Sequence, residues 1–280
     1  MDHLGTSSLV AELADAAEVR KTPCGDGWLT WRVWGSGPPV VLLHGDFGSW
    51  THWIRNIPHL SQHFRILVPD MPGYGASDMP SQPWSPGSLA QIIVDGAGEV
   101  VGRSIRYSVA AFSYGGIIGA HLAASAPKHV AKLVLLGTGG MGLPAPDAAP
   151  KLRRIEPAMG SAEVQAAHRH NLAALMIADP AKVDDLAVAI QIANVCHARL
   201  RAGGIPASDV LLRVLPRVRA RLYGIWGEHD AFARPNIAAR AEVLRRFQPD
   251  LDFRIIEGAG HWIPYEAPAA VSAALLEMLR

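Results

Sequence analysis

The segment "VAAFSYGG", residues 109–116, is the most informative part of the sequence for the fold. It continues the short apolar run "SVAAF" at 108–112, which is typical of a strand buried on both faces. Ser113 then stands at the junction with a helical segment, 115–126. A sharp strand-to-helix turn crowds the positions two residues either side of the serine, so these must be small. Ala111 and Gly115 meet this need, with Ala in place of the first Gly of a G-x-S-x-G pattern.

Similar apolar runs recur along the chain and alternate with helical segments. The other strand-like runs are 28–34, 39–43, 65–69, 132–137, 221–227 and 252–258. The helical segments are 51–63, 88–103, 115–126, 235–248 and 267–279. Alternation of this kind predicts an α/β fold with a mostly parallel central sheet and helices on both faces.

The alternation stops between about 140 and 214. "GGMGLPAPDAAP" leaves the core, and helical stretches follow around 161–177 and 182–201 without a convincing strand. We therefore expect an α/β core at 1–139 and 215–280, and a helical cap or lid at 140–214. Ligands of parallel sheets bind at the carboxyl ends of the strands, where such an insertion would sit.

Composition restricts the classes of partner. The chain has 280 residues, a net charge of +1 and 18% charged residues, without the clustered Lys and Arg of a nucleic-acid groove. No run of 18 apolar residues is present and acidic residues interrupt the first twenty positions, so we expect neither a membrane span nor a signal peptide, and a cytoplasmic location.

No metal site is predicted. The two cysteines, Cys24 and Cys196, lack zinc spacing. His52, His59 and His63 would share one helix face, but Pro58 interrupts that helix and no further ligand has suitable spacing.

A serine hydroxyl becomes reactive when a base takes its proton and a third group orients that base. In "GIWGEHDAFARP", Asp230 lies just past a strand end, and in "IIEGAGHWIPYEAP", His261 lies just past the last strand. The order Ser113, Asp230, His261, each at the end of a buried strand, predicts a catalytic triad. Taken singly, Asp230 could be a helix N-cap, His261 could be one ordinary histidine of twelve, and Glu228 is the nearby rival acid.

Two backbone N–H donors are needed to stabilise a tetrahedral oxyanion. One is the amide of Tyr114, directly after the serine. The other is expected in the oxyanion loop, "HGDFGSW" at 44–50, which follows the strand 39–43: the amide of Asp46, with Phe47 as the alternative. A carboxylate here would repel the oxyanion unless the Asp46 side chain points away or is paired.

These motifs, together with "VPDMPGYGASD" at 68–78, resemble those of the α/β-hydrolase fold superfamily, in its members with a helical cap. The resemblance covers about 27–139 and 215–280. It implies Ser113 as nucleophile, His261 as general base and acid, and Asp230 as the orienting carboxylate, with no metal or cofactor. The "PGYGASD" loop is expected to be structural.

Differences from particular members of the superfamily indicate which activities to expect. Members that open epoxides or remove halide carry Asp at the nucleophile position, which Ser113 argues against. Members that hydrolyse C–C bonds of ring-cleavage products usually carry Asn before the nucleophile and a Gly-rich oxyanion loop. Here those positions hold Phe112 and "GDFG". We therefore expect a serine hydrolase of a small or medium acyl substrate, a carboxylic ester (EC 3.1), ahead of a C–C bond hydrolase of vinylogous diketone acids (EC 3.7).

An arginine in the cap, placed for the substrate carboxylate, would favour the C–C bond hydrolase. Arg169, Arg199 and Arg201 are the candidates. A third hypothesis, from another class, is a non-catalytic protein whose pocket binds a small ligand.

The expected partner is a small-molecule acyl substrate. Phe47, Phe112 and Trp262 are candidates to line its pocket. A homodimer is left open by the sequence.

Overall fold

The computed structural model describes residues 8–144 and 150–280. In these parts of the chain, strands and helices alternate through most of the length. The strands are β1 (Glu18–Cys24), β2 (Gly27–Trp34), β3 (Pro39–Leu43), β4 (Arg65–Pro69), β5 (Tyr107–Phe112), β6 (Val130–Leu136), β7 (Arg221–Gly227) and β8 (Asp252–Ile256). The helices are α1 (Ser8–Asp15), α2 (Ile57–Leu60), α3 (Pro86–Val101), α4 (Tyr114–Ser125), α5 (Ser161–Leu175), α6 (Asp185–His197), α7 (Val210–Val214), α8 (Ile237–Arg245), α9 (Ile263–Glu266) and α10 (Pro268–Leu279).

The strands form one sheet in the order β1-β2-β4-β3-β5-β6-β7-β8. β1 pairs antiparallel with β2 and β2 pairs antiparallel with β4, while all other neighbours are parallel. Helices cover both faces, so the predicted α/β class with a mostly parallel sheet is confirmed.

The two faces of the sheet carry separate hydrophobic clusters because successive strand residues point to opposite sides. In β3, Val41 and Leu43 join the cluster that includes α3 and α4, whereas Val40 and Leu42 join the cluster that includes α10. An apolar residue is therefore needed at nearly every position of a central strand, which is why these strands read as continuous apolar runs.

Local features differ from the prediction, among them β1 and the segment 51–63. β1 was not predicted because it is polar: of its seven residues only Thr22 and Cys24 are buried, as suits an exposed edge strand. The segment 51–63 is not one helix but a 3₁₀ turn at Trp50–Trp53 followed by the short α2, which has a proline in its first turn.

The segment between β6 and β7 contains α5, α6 and α7, and its described residues contain no strand. Positions 145–149 of the expected cap, and positions 1–7 of the expected core, lie outside the described residues. Among the helices of 8–144 and 150–280, none is long and apolar enough to cross a membrane.

Candidate functional site

The site begins at the turn between β5 and α4. Ser113 has φ 55° and ψ −121°, a conformation that non-glycine residues rarely adopt and that is held by the surrounding structure. Its amide donates to the carbonyl of Leu136, 2.8 Å away, which pins the turn to β6. Ser113 is partly exposed, while its strand and helix neighbours are buried. The turn thus presents the hydroxyl at the carboxyl edge of the sheet.

Small neighbours are required around this turn. A Cβ added at Gly115 would lie 2.3 Å from the carbonyl oxygen of His44. Ala111 is accommodated because it faces Gly119, where an added Cβ would meet the Ala111 Cβ at 3.0 Å. Gly119 therefore provides the space that alanine, rather than glycine, needs at 111.

The structure brings Ser113, His261 and Asp230 into one hydrogen-bonded chain. Oγ of Ser113 is 2.9 Å from Nε2 of His261, and Nδ1 of His261 is 2.9 Å from Oδ2 of Asp230. His261 and Asp230 are 3% and 1% exposed, so water competes little for these bonds. Because a carboxylate only accepts, Nδ1 carries the proton and Nε2 is left to accept from the serine.

The rival acid, Glu228, lies elsewhere. Its Oε2 accepts the amide of Gly258 at 2.9 Å, and its side chain is about half exposed. Asp230 does not cap α8, whose N-cap is Asn236. The other carboxylate oxygen of Asp230 accepts the amide of Phe232 at 2.9 Å, which fixes the orientation of the carboxylate.

Two phenyl rings contact the His261 ring. The ring of Phe112 is fully buried with its centroid 5.0 Å away, and the ring of Phe232 is 48% exposed with its centroid 4.5 Å away. Phe232 was not predicted as a site residue. Its position two residues after Asp230 was the one indication in the sequence, and an aromatic residue in a loop is too common to identify a site residue.

The predicted oxyanion loop passes next to the serine. A Cβ added at Gly45 would be 3.1 Å from the Ser113 Cβ. The Gly45 amide donates to Nδ1 of the buried His52 at 3.2 Å, and Phe47 has φ 49°. Tyr114 opens α4, so its amide is among the first helix N–H groups, which have no partner within the helix.

The start of the oxyanion loop is fixed by His44. Its Nδ1 donates to the Gly45 carbonyl and its Nε2 accepts the amide of Met71, both at 2.8 Å. Burial lowers the pKa of both His44 and His52, which keeps the two rings neutral.

The predicted pocket residues divide into two groups. Phe47 is half-buried, whereas Phe112 and Trp262 have no exposed surface and pack in the core. Trp262 donates from Nε1 to the carbonyl of His52 at 3.0 Å. Phe47 is therefore the one of the three that has surface available to a substrate.

The three candidate arginines, all in the 140–214 segment, differ in their contacts. The guanidinium of Arg201 lies over the Phe47 ring, 5.5 Å from its centroid. Arg169 pairs with Asp185, and Arg199 donates to backbone carbonyls of the loop after β4. Arg201 is thus the candidate that lies beside the oxyanion loop.

Histidines at 52, 59 and 63 do not form a cluster of ligands. His52 is buried, and the rings of His59 and His63 are 5.7 Å apart. Within 8–144 and 150–280, no three His, Cys, Asp or Glu side chains come together as metal ligands would.

A buried glutamate supports the loop that carries His261. Glu266, 3% exposed, accepts the amides of Gly260 (2.7 Å), Ala178 (3.0 Å) and Asp179 (2.9 Å). It therefore joins the residue before His261 to the chain that follows α5. Sequence reasoning missed it, because its partners are up to 88 positions away.

Sequence comparison relates the chain to known proteins. The family model described as "Alpha/beta hydrolase family" matches residues 40–274. The 2-hydroxy-6-oxo-6-phenylhexa-2,4-dienoate hydrolase of Burkholderia cepacia is 26% identical over 265 residues, 88% of either chain. The dihydrolipoyllysine-residue acetyltransferase component of the acetoin cleaving system of Pseudomonas putida is 27% identical over 286 residues, 96% of this chain and 71% of that one.

Among solved structures, a thermophilic esterase from Thermogutta terrifontis superposes with a TM-score of 0.67 at 21% identity, covering 94% of this chain and 98% of that one. At this identity the likeness concerns the fold alone. Because the family model spans most of the sequence and the sheet has the matching architecture, the chain belongs to the alpha/beta hydrolase family.

Proposed function

We propose that this protein is a serine hydrolase that cleaves a small or medium carboxylic ester. The observation that carries the proposal is the chain of two 2.9 Å contacts from Ser113 through His261 to Asp230. The serine is partly exposed while its two partners are buried, an arrangement that suits nucleophilic attack on an external carbonyl.

In the proposed reaction, Oγ of Ser113 attacks the ester carbonyl as Nε2 of His261 takes its proton. The tetrahedral intermediate collapses, the C–O bond to the alcohol breaks, and His261 returns the proton to the leaving oxygen. A water molecule, deprotonated by His261, then attacks the acyl-enzyme, and the acid leaves as the serine regains its proton. Asp230 holds the Nδ1–H tautomer and stabilises the imidazolium that forms twice in each turnover.

The amides of Tyr114 and Asp46 are the proposed oxyanion donors. The N–H of Tyr114, in the first turn of α4 and without a partner inside the helix, supports the first assignment. For the second, the Phe47 amide donates to Oδ1 of Asp46 at 3.0 Å, which favours Asp46 over Phe47. No cofactor takes part in this scheme.

We also propose that residues 140–214 act as a cap over the site. Two hydrogen bonds between this segment and the oxyanion loop support the assignment. The amide of Ala202 donates to Oδ2 of Asp46 at 3.2 Å, and the hydroxyl of Ser49 donates to Oδ1 of the buried Asn194 at 2.7 Å. A cap placed there would exclude water and shape the acyl pocket.

A C–C bond hydrolase of vinylogous diketone acids is the second candidate. The B. cepacia relative named above, similar along 88% of this chain, favours it. Arg201 lies beside Phe47 in the oxyanion loop and could meet a substrate carboxylate. Phe112 in front of the nucleophile, where the C–C hydrolases usually carry Asn, keeps ester hydrolysis ahead.

The test is turnover of p-nitrophenyl esters from acetate to decanoate, with wild type and Ser113→Ala side by side, and disappearance of a coloured 2-hydroxy-6-oxodienoate in parallel. We expect saturable ester hydrolysis that is lost in Ser113→Ala. Turnover of the dienoate with weak ester hydrolysis would instead establish the second candidate. Tight ligand binding with no Ser113-dependent turnover of either substrate would contradict both and favour a binding protein.

A further inference from the structure

The side chain of Asp46 is held by three donors from three parts of the chain. Its Oδ1 accepts the hydroxyl of Tyr74 at 2.6 Å and the amide of Phe47 at 3.0 Å. Its Oδ2 accepts the amide of Ala202 at 3.2 Å. Tyr74 lies in the loop after β4, and Ala202 lies in the chain that follows α6. The carboxylate thus connects the oxyanion loop with the core and with the 140–214 segment.

These contacts determine which backbone N–H of the oxyanion loop is free to donate to an oxyanion. The Phe47 N–H is occupied by Oδ1, and Phe47 keeps a positive φ of 49°, which costs free energy for a residue with a side chain. Within 8–144 and 150–280, the Asp46 amide donates to no protein acceptor. Gly45, the preceding residue, lies against Ser113.

We propose that the Asp46 carboxylate is a positioning group that holds the oxyanion loop in the conformation in which the Asp46 amide serves the reaction. This inference rests on the proposed ester hydrolysis. The three hydrogen-bond donors also stabilise the negative charge of the Asp46 carboxylate, which limits the repulsion between this carboxylate and a developing oxyanion.

The hydrogen bonds of Asp46 with Tyr74 and with Ala202 are both made by buried residues. Tyr74 is fully buried, and burial, together with nearby Asp46, raises the pKa of its hydroxyl, so it stays a donor throughout the working pH range. Ala202 is 2% exposed, and the residues just before it are docked by two backbone hydrogen bonds to the Gly73 carbonyl. Docking of this segment therefore supports the loop through Asp46.

The test compares Asp46→Ala, Asp46→Asn and Tyr74→Phe with wild type. Asp78→Asn is the matched control, because the Asp78 carboxylate accepts the amide of Trp28 at 2.8 Å and no hydrogen bond from the oxyanion loop. Single-turnover acylation by a p-nitrophenyl ester gives the substrate dissociation constant and the acylation rate separately. Inhibition by a trifluoromethyl ketone, whose adduct with the serine carries an oxyanion, reports on the donors themselves.

We expect Asp46→Ala to lower the acylation rate by about 10- to 100-fold, since it misplaces a donor whose complete loss costs about 100-fold or more. The inhibition constant of the ketone should rise by a similar factor, and the substrate dissociation constant should stay within about twofold. Asp46→Asn keeps an oxygen for Tyr74 and Phe47, so its loss is smaller. Tyr74→Phe, which preserves the core volume, should shift rate and inhibition in the same direction.

The proposal is overturned if folded Asp46→Ala or Tyr74→Phe acylates like Asp78→Asn, or if the rate falls while the affinity for the ketone does not. If the wild-type protein hydrolyses no ester, the proposed function is overturned instead. In that case the rate at which a fluorophosphonate labels Ser113 still tests Asp46, because the phosphoryl oxygen requires the same donors. Equal labelling of wild type and Asp46→Ala would then refute the positioning role.

Discussion

Glu266→Gln tests how strongly the loop of His261 is anchored. Oε2 of Glu266 accepts the amides of Gly260 and Ala178, and Oε1 accepts that of Asp179. Glutamine offers one oxygen, which can serve the first two amides while its NH₂ group faces the N–H of Asp179. One charge-assisted hydrogen bond, worth about 1.5–3 kcal/mol, is lost, and the remaining two become neutral and weaker. Asp179 is exposed, so water recovers part of the loss.

We therefore expect Glu266→Gln to reduce the free energy of unfolding by about 2–3 kcal/mol, or roughly 3–5 °C in Tm for a chain of this length. Turnover should fall as well, because Gly260 directly precedes His261. The assays are urea unfolding, thermal melting and p-nitrophenyl ester hydrolysis. Glu277→Gln is the control: Glu277 pairs with Arg254 at the surface, its side chain 66% exposed, and should contribute under about 1 kcal/mol. A Glu266→Gln protein as stable as Glu277→Gln would show that the anchoring argument is wrong.

Three further outcomes follow from the structure. Gly115→Ala should cost about 2–3 kcal/mol in urea unfolding, since its Cβ would meet the His44 carbonyl at 2.3 Å. Gly98→Ala, inside α3 with its nearest neighbouring atom at 3.6 Å, should instead add about 0.5–1 kcal/mol; equal effects of the two would contradict the packing argument. Stability should also fall as pH drops below about 6.5, because burial lowers the pKa of His44 and His52, so that the unfolded chain binds more protons than the folded protein. Each of the two contributes a slope of up to about 1.4 kcal/mol per pH unit, and a flat unfolding free energy between about pH 5 and 7 would argue against it.

The fold class was predictable because central strands buried on both faces must be apolar at nearly every position. The runs at 39–43 and 65–69 coincide with β3 and β4. β1 escaped prediction for the complementary reason: an exposed edge strand carries little apolar signal. The helix expected at 51–63 is broken because Pro58 and the preceding 3₁₀ turn divide it.

Some residues of the candidate site could also be predicted from the sequence, and others could not. Ser113, Asp230 and His261 could be nominated because each follows a strand end within a short motif. Phe232 and Glu266 could not, because their roles depend on contacts made only after distant segments fold together.

Asp46 stands between these two cases. The sequence showed that a carboxylate in the oxyanion loop would have to be paired or turned away. Its partners, Tyr74 and Ala202, could not be named, because they lie 28 and 156 positions further along the chain. Local motifs therefore indicate which side chain needs a partner, and only the folded chain supplies it.

The polar edge strand also bears on self-association. An unpaired strand at the edge of a sheet is a template for addition of another strand, and charged residues and proline hinder such addition. β1 presents Glu18, Arg20, Lys21 and Pro23, and its first four residues are all exposed. A second copy that extended the sheet here would find no N–H at Pro23 and would have to desolvate these charged side chains. We therefore expect any homodimer to form through another surface, and the β1 edge to protect the folded protein from growing into extended sheets.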